Sequence, residues 1–305
     1  MASVHPRATW LDPDTGSLID HHELMQQMAK RQVVLLGETH DVSEIHRWQM
    51  HVIAALYTLR KNIMVGFEMF PRRLQPVLDE WVRGELSTKE FIKKSEWADV
   101  WGFPEDLYLP IFHYCRQNKI RMLAVNCPRA LVKRIGQEGW ENVPEDERDG
   151  LTPAAPPTEE YIASLRRWLG TPEKPWEPTE RFFRAQQTWD RSFACNMVYA
   201  IDEARERLQK DGEKVSPQDL PLVVGVIGRG HMMYKQGMVY QLKDLGIDDV
   251  GVLLPSEQAE FDTEKMHGVA DAVYRIDTPD PEEAASNKER VSKMIERYNK
   301  QMAKS

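Results

Sequence analysis

The chain has 305 residues, 41% of them hydrophobic, enough for one large domain or two small ones with an extensive core. Its formal net charge of −8 offers no general attraction to nucleic acid or to an anionic membrane surface, which both reward clustered Lys and Arg, so neither is an expected partner. No stretch approaches the roughly 18–20 uninterrupted apolar residues that cross a bilayer, and the first thirty residues show neither a signal-peptide core nor a lipid-attachment cysteine, so a cytoplasmic chain is expected.

In chain order, short runs rich in Val, Ile and Leu alternate with longer amphipathic stretches, the pattern of a mostly parallel α/β sheet flanked by helices. Strands are predicted at 33–36, 63–67, 122–125, 222–227 and 250–254, with a sixth at 273–276. After the first strand, Ser43 is expected to cap a helix whose stripe of Ile45, Trp48, Val52, Leu56 and Leu59 points at the core, with His46 off that stripe. Between 128 and 220 the alternation stops, and the segment reads as a helical insertion or lid, with helices at 161–169 and 181–208 and a Pro-rich loop at 151–157. Residues 1–280 therefore read as a single domain carrying this insertion, and 281–305 as a charged, peripheral C-terminal helix. Cys115, Cys127 and Cys195 are widely spaced without a CxxC pair and read as buried thiols.

Ligands of open parallel sheets bind beyond the carboxyl ends of the strands. There the first run ends in Gly37-Glu38-Thr39-His40, the second in Glu68, the third in Asn126 and the fourth in Gly228-Arg229-Gly230-His231. With 17 Gly and 9 His, random placement gives about 0.5 Gly-x-x-His matches in the chain, yet two occur and each closes an apolar run. Glycine there permits a tight strand-to-helix turn and lets a ligand approach the backbone.

His40 and His231 as imidazoles, with Glu38 and Glu68 as carboxylates, make a donor set suited to a borderline divalent metal such as zinc, manganese, cobalt or iron. Alternatively, Glu38 or a histidine acts as general base on a water. The plainer alternatives are hydrogen-bonded structural histidines, and Glu68 paired with Arg72 or Arg73. His46 and Gln49, at i and i+3, share a helix face from which they could orient His40. A solvated helix face is the plainer reading for His46 and His51, and His21, His22 and His267 are assigned no role. Among Tyr108, Tyr114, Tyr234 and Tyr240, Tyr234 is nearest to a motif, and a phenolate is a good ligand for ferric haem iron. Trp97, Trp101, Trp176 and Trp189 give the region an aromatic tone that core packing also explains.

Gly37-Glu38-Thr39-His40-Asp41 with His46 and Gln49, Glu68-Met69-Phe70, Asn126-Cys127-Pro128-Arg129, Gln187 with Trp189-Asp190, and Gly228-Arg229-Gly230-His231 together resemble the ChaN-like haem-binding uptake family. That family is grouped with the TIKI metalloproteases and the erythromycin esterases, and the likeness spans roughly residues 31–255. It implies an α/β core with a helical insertion and a haem cofactor, with Glu38, His40, Glu68 and His231 at the matching positions; no tyrosine is carried over as the haem ligand, and the cofactor-binding candidates read from the residues are His40, His46, Tyr234 and His231. Other branches imply ester or peptide hydrolysis by the two Gly-x-x-His motifs and paired glutamates. Three readings follow: a haem- or iron-binding protein, a metal-dependent hydrolase, and a binding module that keeps only the fold. The expected partner is haem or another small molecule, and a homodimer is left open.

Overall fold

The structure, a computed structural model, describes residues 3–169, 177, 179–209 and 215–302. Trp176 and the last residues of the expected C-terminal helix lie outside them. Six strands build the body of the sheet: β1 (Val33–Glu38), β2 (Ile63–Pro71), β3 (Arg121–Asn126), β4 (Leu222–Gly228), β5 (Val250–Ser256) and β6 (Ala272–Arg275). They lie in the order β6-β5-β1-β4-β2-β3, all parallel. An N-terminal hairpin, Trp10–Leu11 and Leu18–Ile19, continues the sheet antiparallel to β6. The six expected strands are all present. The hairpin is not foreseen, because two-residue strands carry no alternation to detect.

β1 and β2 are buried at every position, which explains their unbroken apolar runs. Alternate residues enter two cores. Val34, Leu36, Val65 and Phe67 face α1 (Ser43–Leu59), whose Ile45, Trp48, Val52 and Leu56 are buried, while Leu59 is 41% exposed. Ser43 does not cap α1: Val42 occupies that place with no side-chain hydrogen bond, and the Ser43 hydroxyl accepts from Asn287 at 3.0 Å. Another helix, α2 (Leu109–Asn118), packs Phe112 into the same core.

The opposite sheet face is covered from within the segment read as an insertion. It contains α3 (Glu159–Leu169) and the 29-residue α4 (Glu180–Leu208). α4 buries Phe193, Ala194, Met197 and Ile201 against Leu35, Val125, Val223 and Ile227. Gly66 and Gly225 are register partners, and a Cβ on either would meet Met197 at 3.0 or 2.8 Å, so the bare backbone lets α4 lie close. The C-terminal helix, α5 (Pro281–Met302), crosses the loops that follow β1. Among the described residues no helix is long and apolar enough to cross a membrane.

Candidate functional site

Because β4 lies between β1 and β2, the carboxyl ends of three strands distant in sequence become neighbours. Glu38 is the register partner of Gly228, and Phe67 that of Val226, so Glu38, Glu68 and the turn 228–231 share one edge. A Cβ on Gly228 would stand 3.2 Å from His40 Cε1 and 3.3 Å from Glu68 Oε2. Glycine instead brings its N–H to Glu68 Oε2, donating at 2.6 Å.

Behind His40 stands a buried carboxylate. His40 Nδ1 donates to Glu38 Oε1 at 2.7 Å, and the Tyr108 hydroxyl donates to the same oxygen at 3.0 Å. Gln49 Nε2 donates to Glu38 Oε2 at 3.2 Å and to the Leu36 carbonyl at 3.2 Å. Burial disfavours the charged form of Glu38, but the hydrogen bond from His40 and the nearby imidazoles His46 and His40 outweigh it and hold the carboxyl below its ordinary range. For His40, burial opposes protonation, yet the hydrogen bond and charge of Glu38, aided by Glu68 and Asp41, raise it to about 9. Trp101 and Phe103 pack on the ring at centroid distances of 4.8 and 5.1 Å.

His231 is built in the same way from different elements. Its Nδ1 donates to Asp190 Oδ1 of α4 at 2.7 Å, and the Tyr161 hydroxyl of α3 donates to Asp190 Oδ2 at 2.6 Å. Gln186 Nε2 stands 3.0 Å from the same imidazole nitrogen. Burial again works against the imidazolium, and Asp190, then Glu68, prevail over it and over His40 to raise the pKa. His231 Nε2 lies 3.8 Å from Glu68 Oε1. Each histidine is thus the end of a tyrosine–carboxylate–imidazole chain.

Asp190 and Tyr161 are not among the site residues expected from sequence. The signal was present. Asp190 follows Gln186 by one helical turn and precedes Phe193 and Met197 by three and seven residues, so a carboxylate sits in the buried stripe of α4 and there requires a partner.

Between the two imidazoles opens a cleft of about 530 Å³, walled by Phe103, Leu169, Phe182 and Val291 and lined also by Thr39, Asp41, Gln186 and Arg229. Another hollow of about 570 Å³, near Lys30 and Arg60, contains no imidazole, and its Arg60 is engaged by the carbonyls of Ala29, Arg31 and Leu220. The chemistry therefore belongs to the first.

Several expected residues lie elsewhere. His46 is buried, with its ring nitrogens against Gln49 Oε1 and the His40 carbonyl, both at 3.1 Å, so it supports the His40 loop and does not line the cleft. Tyr234 donates to the Lys265 carbonyl at 3.1 Å and also stands outside the lining, as do Tyr114 and Tyr240. Tyr108 is fully buried, and desolvation with the Glu38 charge pushes its phenol well above the usual range, so it keeps its proton. Glu68 is not paired with Arg72 or Arg73: Arg73 holds Glu96, and Arg72 reaches the Asp149 carbonyl.

Among the described residues no group of three or more His, Cys, Asp and Glu is arranged to hold a metal ion. Glu38, His40, Glu68 and His231 do not form one, because Glu38 stands behind His40 and is taken up by its Nδ1. The three cysteines are buried, and burial pushes the Cys115 thiol up and the Cys127 thiol up to about 12, away from the thiolate form that a nucleophile needs.

Residues 24–242 match the family described as haem-binding uptake, Tiki superfamily, ChaN. Among solved structures, one of cofacial haem binding to ChaN of Campylobacter jejuni superposes with a TM-score of 0.65 at 20% identity, covering 87% of this chain and 95% of that one. That likeness establishes the fold. Erythromycin esterase EreC in its open conformation gives a TM-score of 0.43 at 12% identity over 81% of this chain and 76% of that one, too low to carry an argument. A curated relative, Protein RETICULATA-RELATED 5, chloroplastic, of Arabidopsis thaliana, is 26% identical over 145 residues, 45% of this chain but only 19% of that protein.

Proposed function

Because the chain belongs to the ChaN family of haem-binding uptake proteins in the Tiki superfamily, we propose that it binds haem in the cleft between His40 and His231, with imidazole Nε2 facing the iron. The observation that carries this reading is the pairing of each Nδ1 with a buried carboxylate, at 2.7 Å in both cases. A carboxylate partner fixes the ring and raises its basicity as an iron ligand, while Nε2 keeps no hydrogen bond to the described residues. The apolar body of the macrocycle suits the walls of Phe103, Leu169, Phe182 and Val291. The cleft volume of about 530 Å³ falls within the roughly 300–1,000 Å³ of small-molecule sites. Haem supplies the iron, and the chain's own residues bind and orient it. The test is a titration of purified protein with hemin: the Soret band shifts with saturation in the wild type and weakens in His40→Ala and His231→Ala. A spectrum that stays that of free hemin contradicts the reading.

A second reading is favoured by the position of Glu68 beside His231 Nε2, at 3.8 Å. That gap suits a water activated by a carboxylate-backed imidazole, which points to hydrolysis of an ester or amide. An esterase and peptidase screen tests it, and absence of turnover that depends on His231 and Glu68 removes it.

A further inference from the structure

The chains behind the two imidazoles come from unrelated parts of the fold. Glu38 ends β1 with His40 two residues on, and Tyr108 stands just before α2; Asp190 belongs to α4, Tyr161 to α3 and His231 to the turn after β4. Both carboxylates are dry, their side chains 0% and 1% exposed, so water does not compete for their lone pairs. A carboxylate only accepts, so each imidazole Nδ1 carries its proton and each phenol donates.

The two carboxylates divide their acceptance differently. Glu38 Oε1 takes both His40 Nδ1, at 2.7 Å, and the Tyr108 hydroxyl, at 3.0 Å, while Gln49 Nε2 at 3.2 Å and His46 Nδ1 at 3.6 Å face Oε2. Asp190 receives His231 Nδ1 on Oδ1 and the Tyr161 hydroxyl on Oδ2. Tyr108 thus draws on the very oxygen that pulls the His40 proton, whereas Tyr161 acts across the carboxyl group. Neither tyrosine lines the cleft, so each acts on a ligand there only through its carboxylate and imidazole.

We propose that these residues set the oxidation-state preference of the site: Glu38 and Asp190 favour ferric over ferrous haem through the imidazoles, and Tyr108 and Tyr161 limit that preference. The inference rests on the haem reading. A carboxylate pulling on Nδ1–H moves negative charge toward Nε2, and a more electron-rich donor stabilises the more highly charged iron, which lowers the reduction potential. A hydroxyl donating to the same carboxylate withdraws part of that charge and raises the potential. Loss of a carboxylate and loss of its tyrosine therefore have opposite signs, a pattern that loosened packing would not give.

The test is spectroelectrochemistry at pH 7 on the full chain loaded with hemin, with the ferric Soret band recorded first to compare coordination among the variants. Glu38→Gln and Asp190→Asn, which keep side-chain size and remove the charge, each raise the midpoint potential by about 59 mV, equivalent to a tenfold smaller preference for ferric haem and the size of one charge-assisted hydrogen bond. Glu38→Asp, which restores the charge, recovers part of that shift. Tyr108→Phe moves the potential the other way, by about threefold in the same preference, the size of one neutral hydrogen bond. Tyr161→Phe follows it with a smaller shift. The tyrosine variants keep the test decisive where a carboxylate variant fails to fold. Potentials that stay at the wild-type value in both tyrosine variants, or that rise in them, overturn the inference and leave haem binding standing. A wild type whose spectrum stays that of free hemin overturns both.

Discussion

The His40 imidazole is held between opposing influences, and their balance has a measurable sign. Its folded pKa of about 9 exceeds the value of 6.5 for the free side chain. Between those values the folded chain binds the proton that the unfolded chain has released. The contribution to stability is therefore complete below pH 6.5 and is lost as pH rises through 9, amounting to at most about 3 kcal/mol before discounting for solvent at the partly open ring. Urea unfolding at pH 6 and pH 10 reads it: wild type loses stability over that interval more than His40→Gln does, and equal losses would contradict the assignment. The same proton competes with iron. Hemin affinity rises between pH 7 and pH 9, by up to about tenfold per unit if one proton leaves on ligation, whereas an affinity that is flat over this range removes His40 as a ligand. Gly228 sets the room available: Gly228→Ala places a methyl 3.2 Å from His40 Cε1 and 3.3 Å from Glu68 Oε2. That variant is expected to weaken hemin binding and to cost about 1–3 kcal/mol of stability in thermal unfolding.

Among the elements, α5 governs the His40 side of the cleft. Glu283 pairs with Arg47 at 2.9 Å, Arg290 with Asp106 at 2.8 Å, and Val291 lines the cleft itself. The buried amide of Asn287 donates to the Asp41 carbonyl at 3.3 Å and to Ser43 Oγ at 3.0 Å. All of these contacts fall on α1 or on the two loops that flank His40. The exposed ion pairs are worth under about 1 kcal/mol each, so Asn287 carries much of the docking. Asn287→Ala is expected to cost about 1–2 kcal/mol and to raise amide exchange in 39–43 and 283–295. Unchanged protection in those segments would show that the helix is held by something else. The sequence makes this helix legible as charged and poor in apolar anchors, but not where it sits, since one buried amide leaves no periodic trace. α4 shows the converse: its length and helicity were plain, whereas its role as the cover of one sheet face depends on Gly66 and Gly225 clearing space for Met197, a relation between strands and helix that no local pattern records.

At the scale of the whole molecule, the strands were readable because parallel strands buried on both faces are continuous apolar runs, as in β1 and β4. The histidines and glutamates at their ends were readable because the carboxyl edge of such a sheet is where ligands meet it. Strand order was not readable. The insertion of β4 between β1 and β2 turns Glu38, Glu68 and His231 into neighbours, and it is decided by which faces α1 and α4 cover rather than by any segment alone. What Glu38 does is set by a related fact: two residues from His40 along a strand end, its carboxylate accepts from the imidazole it supports. Asp190 left a trace as a carboxylate in the buried stripe of α4, whereas Tyr161, on the separate helix α3, left none. The most direct test of the account is a crystal structure of the chain with hemin bound. It predicts the ring between Phe103 and Phe182 with iron bonded to Nε2 of His40, of His231 or of both; iron held by any other side chain, or haem seated away from this edge, contradicts it.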